Sequence, residues 1–471
     1  MTPEEYRQAA HQAVDWIAEF RTSLPDRPVL SSLKPGELRA RLPAAAPLQK
    51  ESFEAVMADL EQILQPGFSH FQHPRFFGYF PSNACLASLL GDMFSSGLGQ
   101  LGLNWQASPA LTELEEVVTD WMRQLLGLSE AWSGVIQDTA SSSTLVALLC
   151  AREQASGFSL CRGGLQGEKQ PFTVYASAQS HSSVEKAALL AGFGRSHLRL
   201  IATDEKHAMR ADLLGEAIRA DLAAGCRPCA VVATTGTTAT TALDPVAEVA
   251  ALCREYGLWL HVDAALAGSA MLLPECRWMW EGIEGADSLV MNPHKWLGAV
   301  FDCSLFYLRN PQHLVRVMST NPSYLQTAAD SQVRNYRDWG IPLGRRFRAL
   351  KLWFLLRLEG VERLQVRLRR DIAHAQWLAG QVDARPDWQR LAPVPLQTVC
   401  LRHQPPGLEG EALDAHTLRW VGRINASGNA YLTPAILQGR WMVRVSIGAE
   451  PTERCHVEEL WTWICAEAEK R

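Results

Sequence analysis

The sequence of 471 residues lacks any run of about 18 or more uncharged apolar residues, so no segment reads as a membrane-crossing helix. It also lacks a basic excess. Lys and Arg number 45 against 50 Asp and Glu, a formal net charge of -5, which argues against a general nucleic-acid binder. No Gly-x-Gly-x-x-Gly follows a strand-like run, which disfavours a dinucleotide-binding fold. No internal repeat or low-complexity tract is present. The eleven cysteines, an odd number, read as free thiols in a reducing compartment, and no metal site is expected. The first 21 residues are acidic and amphipathic and do not read as a signal peptide. Asn425-Ala426-Ser427 matches a glycosylation sequon, read as chance without an export signal. A cytoplasmic protein is the expectation.

What is present suggests two or three domains of ordinary globular composition, 47% hydrophobic and 20% charged. Residues 2–24 predict a helix: Thr2 can cap it, Pro3 suits the first turn, and Ala9, Val14, Ile17 and Phe20 form an apolar stripe. A proline-rich extended arm follows over 24–49, then a second helix over 52–64. Ser108 and Pro109 open a strong helix to residue 128. From residue 173 helix and strand patterns alternate, with strands expected at 173–177, 198–203, 230–234, 259–264, 288–291 and 304–308. Between them Asp244 is expected to cap a helix that Gly257 ends. Alternation of this kind argues an α/β fold with a mostly parallel sheet and helices on both faces. Helix patterns run from 348 to 358 and from 361 onward. The tail from 387 mixes short strands and helices, as a small α+β domain would.

The most informative stretch is 258–304. An apolar strand ends on His261-Val262-Asp263-Ala264-Ala265; a second, Ser288 to Met291, runs into Asn292-Pro293-His294-Lys295-Trp296. One acid and one lysine thus stand after neighbouring strand ends, where open α/β sheets hold ligands. A lysine in a partly desolvated pocket becomes an amine nucleophile towards a carbonyl, and an acid can keep a heterocyclic nitrogen protonated. Pyridoxal phosphate needs both. The competing reading is a surface lysine and a helix-capping acid. Likewise Thr139-Ala140-Ser141, small residues opening a helix, form either an anion site or an ordinary cap.

Taken together, 261–265, 292–296 and Phe301-Asp302-Cys303-Ser304 resemble the group II pyridoxal-phosphate decarboxylases, and most closely the aromatic L-amino-acid decarboxylases, which include DOPA, tyrosine, tryptophan and phenylalanine decarboxylases. The resemblance runs from about Glu4 to the last helix. It implies a fold-type I enzyme, aspartate-aminotransferase-like. It further implies an N-terminal helical dimerisation segment over 1–84, a large pyridoxal-phosphate-binding domain over 85–349, and a small C-terminal domain over 350–471. It implies a homodimer with active sites at the subunit interface.

Carried over residue by residue, the resemblance makes Lys295 the Schiff-base lysine, Asp263 the partner of the pyridinium nitrogen, and His181 the imidazole stacked on the ring. Tyr324, on a mobile loop, alone or with His181, would return a proton to Cα. The phosphate falls to Thr139, Ala140 and Ser141; Thr238, Ala265, Asn292 and His294 complete the cofactor set. The substrate wall would comprise Phe71, Tyr79, Phe80, Pro81, Ser82, Leu101, Leu103, His181, His294 and Gly344. Asp138 stands where animal relatives have glycine, and its carboxylate is expected to turn away from the phosphate. The loop from Tyr324 to Trp339 looks two residues shorter than in those relatives. Arg444 could face the substrate carboxylate or form a structural ion pair, the latter favoured.

The activity implied is decarboxylation of an aromatic L-amino acid to its amine and CO2. The wall is apolar and offers no basic partner for a glutamate side chain. Relatives with phenylalanine at the position of Tyr324 make aldehydes, so tyrosine favours the amine. An aldehyde synthase, a transaminase or a decarboxylase of large aliphatic amino acids on the same fold is the second reading. A pyridoxal-binding scaffold dimer is the non-enzyme alternative.

Overall fold

The computed structural model describes residues 1–320 and 322–470, with Tyr324 described by its backbone alone. Seven strands form the main sheet: β1 (Ser133–Gln137), β2 (Phe172–Ser177), β3 (Leu198–Ile201), β4 (Arg227–Thr234), β5 (Trp259–Asp263), β6 (Ser288–Met291) and β7 (Ser304–Leu308), in the order β1-β7-β6-β5-β4-β2-β3. The pairings β2 with β3, β2 with β4, β4 with β5 and β5 with β6 are parallel. Strand β7 is antiparallel to both β6 and β1. Six strands therefore share one direction and β7 alone is reversed.

The strand sequences explain this sheet. Strands β2, β5, β6 and β7 are buried along their whole length, the pattern of a sheet covered on both faces. Helix Ala140–Ser156 covers one face with Val146, Ala147, Leu148 and Cys150, packed in one core with Val174, Val232, Val290 and Phe306. The expected strands 288–291 and 304–308 agree with the observed bounds, and the others agree to within a few residues.

Two expected caps are not formed. Helix Val246–Tyr256 starts after Pro245, with no side-chain cap. Asp244 instead turns inward and accepts the backbone N–H groups of Met209 (2.7 Å) and Thr234 (2.8 Å). Burial pushes its carboxyl up to about 7. Ser108 makes no cap bond to helix Pro109–Leu125; its hydroxyl donates to Gln100 Oε1 at 3.2 Å. Thr2 does cap helix Pro3–Thr22, in a reciprocal box with Glu5.

The described chain divides into two compact units: residues 82–376 with 391–399, and residues 1–81 with 377–390 and 400–471. In the smaller unit the N-terminal arm is stitched to the C-terminal part. Val29 N–H donates to Gly428 O, Phe77 N–H to Tyr431 O, and Ser446 N–H to Phe77 O. A second sheet is built from β8 (Trp388–Arg390), β9 (Thr398–His403), β10 (Thr433–Leu437) and β11 (Arg440–Ser446), in the order β10-β11-β9-β8.

No disulfide joins any of the eleven cysteines. Two of them, in Cys226-Arg227-Pro228-Cys229, stand at two-residue spacing. Strand β4 begins between the two, Cys229 is buried, and its burial pushes the thiol far above its ordinary range, so it is a poor thiolate.

Candidate active site

Because β7 alone is reversed, the C-terminal ends of β1, β2, β4, β5 and β6 lie along one edge of the main sheet, with the start of β7 beside them. Each pyridoxal-site residue expected from sequence in the larger unit follows one of those strand ends. Thr139, Ala140 and Ser141 follow β1; His181 follows β2; Thr238 follows β4. Asp263 ends β5 and Ala265 follows it; Asn292, His294 and Lys295 follow β6. Topology thus gathers residues spread over a third of the sequence.

Asp263 is 4% exposed. Its Oδ1 accepts the N–H of Ala265 at 3.0 Å, while Oδ2 accepts no hydrogen bond among the described residues. Thr235 N–H donates to Asp263 O (2.9 Å), and Asn292 N–H to Ala265 O (3.1 Å), so the loops after β4, β5 and β6 are laced together. Gly236 permits this lacing: it sits at φ +85°, and a Cβ there would lie 2.9 Å from the Ala267 methyl.

Lys295 lies in the turn Pro293–Leu297 with a backbone far from helical (φ -94°, ψ -107°). Its carbonyl accepts the N–H of Asn83 at 3.1 Å, and the Asn83 amide donates to Trp296 O. The Trp296 indole N–H donates to the buried Asp371 at 2.8 Å. His294 Nδ1 accepts the N–H of Cys303 at 2.9 Å, and its ring lies 4.9 Å from that of Phe301. Burial first, then the charge of Lys295, lowers its pKa to about 3, so it is neutral at pH 7. Asn292 Oδ1 accepts the Ser304 hydroxyl at 2.6 Å, tying the end of β6 to the start of β7.

His181 opens helix Ser182–Leu190, and its own ring is the cap: Nδ1 accepts the N–H of Ser183 at 3.1 Å. The residue is exposed, but this Nδ1 edge is partly buried. Its pKa is lowered, by loss of water first and then by Lys295 and Lys186, against an opposing pull from Asp263. His181, Asp263 and Lys295 therefore share one electrostatic neighbourhood.

Thr139 caps helix Ala140–Ser156, accepting Ser142 N–H on its hydroxyl at 3.5 Å. The N–H groups of Ala140 and Ser141, in the first turn, have no intrahelical acceptor, as anion sites require. Asp138 Oδ1 accepts Thr139 N–H at 2.7 Å.

Of the expected substrate wall, Ser82, Leu101, Leu103 and Gly344 belong to the larger unit. There Gly102 N–H donates to Arg345 O, and a Cβ at Gly344 would meet Leu101 at 3.3 Å. Phe71, Tyr79, Phe80 and Pro81 belong to the smaller unit. Phe71 stacks near Tyr79 (ring centroids 6.2 Å), and Arg444 lies over the Phe80 ring at 4.9 Å while donating to Tyr79 O. The Tyr324 side chain lies outside the described residues. Sequence reasoning passed over Asn83 and Ser183. Asn83 carries no local signal, since its partner is remote in sequence; a hydroxyl two residues after a helix-opening histidine was a usable one.

The donor set fits pyridoxal phosphate. A buried carboxylate keeps one oxygen unengaged, an amine and a neutral imidazole stand in its field, and a helix start offers N–H groups to an anion. Comparison with known proteins points the same way. Residues 35–404 match the model of the pyridoxal-dependent decarboxylase conserved domain. The chain is 40% identical to phenylacetaldehyde synthase of Arabidopsis thaliana, with 99% of this chain and 96% of that protein covered. It is 39% identical to the aromatic-L-amino-acid decarboxylase of Bos taurus, with 98% and 96% covered. Among solved structures it is similar to Oryza sativa TDC with PLP and tryptamine (TM-score 0.96, 36% identity, 99% and 98% covered). A second is Catharanthus roseus tryptophan decarboxylase in complex with L-tryptophan (TM-score 0.93, 36% identity, 100% and 99% covered).

Proposed function

Because this chain belongs to the pyridoxal-dependent decarboxylase family, and is a carboxy-lyase with pyridoxal phosphate as its cofactor, we propose that it converts an aromatic L-amino acid to the corresponding amine and CO2. The observation that carries this reading is the common field of His181, Asp263 and Lys295 at the carboxyl edge of the sheet. The aromatic class is supported by relatives named for tryptophan, tyrosine and aromatic L-amino acids. The residues expected to face the substrate are aromatic in the smaller unit (Phe71, Tyr79, Phe80) and aliphatic in the larger (Leu101, Leu103), a composition suited to an apolar side chain.

In this reading Lys295 would hold the cofactor through its amine, and Asp263 Oδ2 would face the ring nitrogen. Thr139, Ala140 and Ser141 take the phosphate at the positive end of their helix. Thr238, Ala265, Asn292 and His294 border the ring, and His181 packs across its face. When bound, pyridoxal phosphate supplies an electron-withdrawing ring that accepts the electron pair released as the carboxylate departs. The pocket residues would orient the substrate so that the bond to its carboxylate is the one that breaks, a positioning effect. Tyr324 returns a proton to Cα and, as a phenol at that position, favours amine over aldehyde.

We further read the working unit as a cytoplasmic homodimer, with the division 1–84, 85–349 and 350–471 between dimerisation, cofactor and small domains. Two features support a second copy. Helix Pro3–Thr22 buries none of its residues in the single chain. Helix Leu86–Gly97 leaves Leu86, Leu90, Met93 and Phe94 exposed on one face. The aldehyde-synthase alternative rests on the similarity to phenylacetaldehyde synthase. Incubation with pyridoxal phosphate and a panel of L-amino acids, with amine, aldehyde and ammonia quantified by mass spectrometry, separates the two. Amine from an aromatic substrate is expected; aldehyde with ammonia, or no product, overturns the proposal.

A further inference from the structure

We propose that Ser183 is a positioning residue that fixes His181 as the neutral tautomer with its proton on Nε2, so that the ring presents a hydrogen-bond donor, and no acceptor, to whatever lies against it. The inference deepens the decarboxylase reading and rests on it for the identity of the neighbouring molecule, but the geometry belongs to the chain alone.

The argument follows from which atoms can donate. Ser183 N–H points at His181 Nδ1 from 3.1 Å, and a backbone N–H can only donate. Nδ1 must therefore carry its lone pair in the ring plane. The Ser183 hydroxyl lies 2.8 Å from the same nitrogen. With no hydrogen on Nδ1 to accept, the hydroxyl donates too. Two donors converge on one ring nitrogen, and the single proton of the neutral imidazole is left on Nε2. Protonating the ring would cost Nδ1 the bond from Ser183 N–H, force the hydroxyl to turn round and accept, and place a positive charge at the positive end of helix Ser182–Leu190. The charged groups facing the ring are Asp263, Lys295 and Lys186; two of the three also oppose protonation.

A consequence bears on the chemistry. A neutral imidazole with its one proton on Nε2 cannot serve as the acid without becoming an imidazolate. His181 therefore acts as a donor that orients, and return of the proton to Cα falls to Tyr324.

The test uses cofactor-free protein, so it does not depend on turnover. Diethyl pyrocarbonate acylates the ring nitrogen that bears the free lone pair, here Nδ1. Peptide mass mapping reads the acylation rate of His181 against that of exposed His11 on the N-terminal helix. In the wild type His181 should react slowly. Ser183→Ala should raise its rate about five-fold, the factor given by one hydrogen bond of ordinary strength. It should also move the acid limb of the rate-against-pH curve upward by about 0.7 of a pH unit. Ser183→Thr, which keeps the hydroxyl, should restore wild-type behaviour. Wild-type acylation as fast as at His11, an unchanged rate in Ser183→Ala, or a Ser183→Thr variant that behaves like Ser183→Ala would each overturn the proposal. Failure of the decarboxylase reading would register separately, as absence of amine in the amino-acid panel.

Discussion

Glu115 and Arg345 make the most demanding stability test in the larger unit. Glu115 is fully buried in helix Pro109–Leu125, and Arg345 is 6% exposed. The pair is bidentate, at 2.6 and 3.0 Å. Glu115 Oε1 also accepts the N–H of Ile136 in β1 at 2.8 Å, and Arg345 donates to Ile136 O at 2.6 Å while lying 4.9 Å from the Tyr336 ring centroid. Glu115→Gln preserves shape but turns an amide N–H₂ toward donors, leaving a buried guanidinium without its counter-charge. Breaking a buried pair from one side costs about 3–5 kcal/mol, whereas replacing both partners by apolar residues is often near neutral. The unit holds about 300 residues, so its unfolding entropy is roughly 0.6 kcal/mol/K and a loss of about 4 kcal/mol lowers the thermal midpoint by about 6 °C. Differential scanning fluorimetry of cofactor-free Glu115→Leu, Arg345→Met and Glu115→Leu/Arg345→Met makes a double-mutant cycle, with Glu115→Gln as the shape-preserving single variant. A single-variant drop below about 2 °C, or a double variant that falls by the sum of the singles, would refute the reasoning.

Tyr324→Phe should shift product from amine to aldehyde and ammonia, read by mass spectrometry; a variant still making only amine removes the tyrosine from its assigned step. Burial lowers His261 from 6.5 to about 4, so the folded state binds its proton less readily than the unfolded chain. The stability this contributes is complete above about pH 6.5 and is lost as pH falls toward 4. The wild type should therefore lose about 3 kcal/mol more than His261→Asn between pH 7 and pH 4 in denaturant titrations, and parallel pH curves would exclude the effect. Asp138→Asn keeps an acceptor for Thr139 N–H but removes a negative charge beside an anion site. It should tighten pyridoxal phosphate by about two- to five-fold in an absorbance titration, and weaker binding would show that the carboxylate assists instead.

Much of the site was readable from the sequence because its chemistry sits on strand ends. Short apolar runs mark buried parallel strands; Asp263 ends one of them, and Lys295 stands in the turn that follows another. What stayed hidden depends on contacts between distant segments. Asn83 holds the Lys295 backbone, and Glu115 reaches across to Arg345, without any periodic signature. Asp244 misled for a related reason. An acid before proline at a helix start has the form of a cap, but two backbone N–H groups from β4 and from Met209 compete for it and win.

The reversal of β7 has a mechanical outcome. The lysine-bearing segment is a short return between two adjacent, antiparallel, solvent-shielded strands, latched by Ser304 on Asn292 and by Cys303 on His294. Such a hairpin cannot hinge outward without tearing the ladder on either side. Any breathing that admits or discharges a small molecule must therefore come from other walls, while the backbone that carries Lys295 stays as still as the sheet itself.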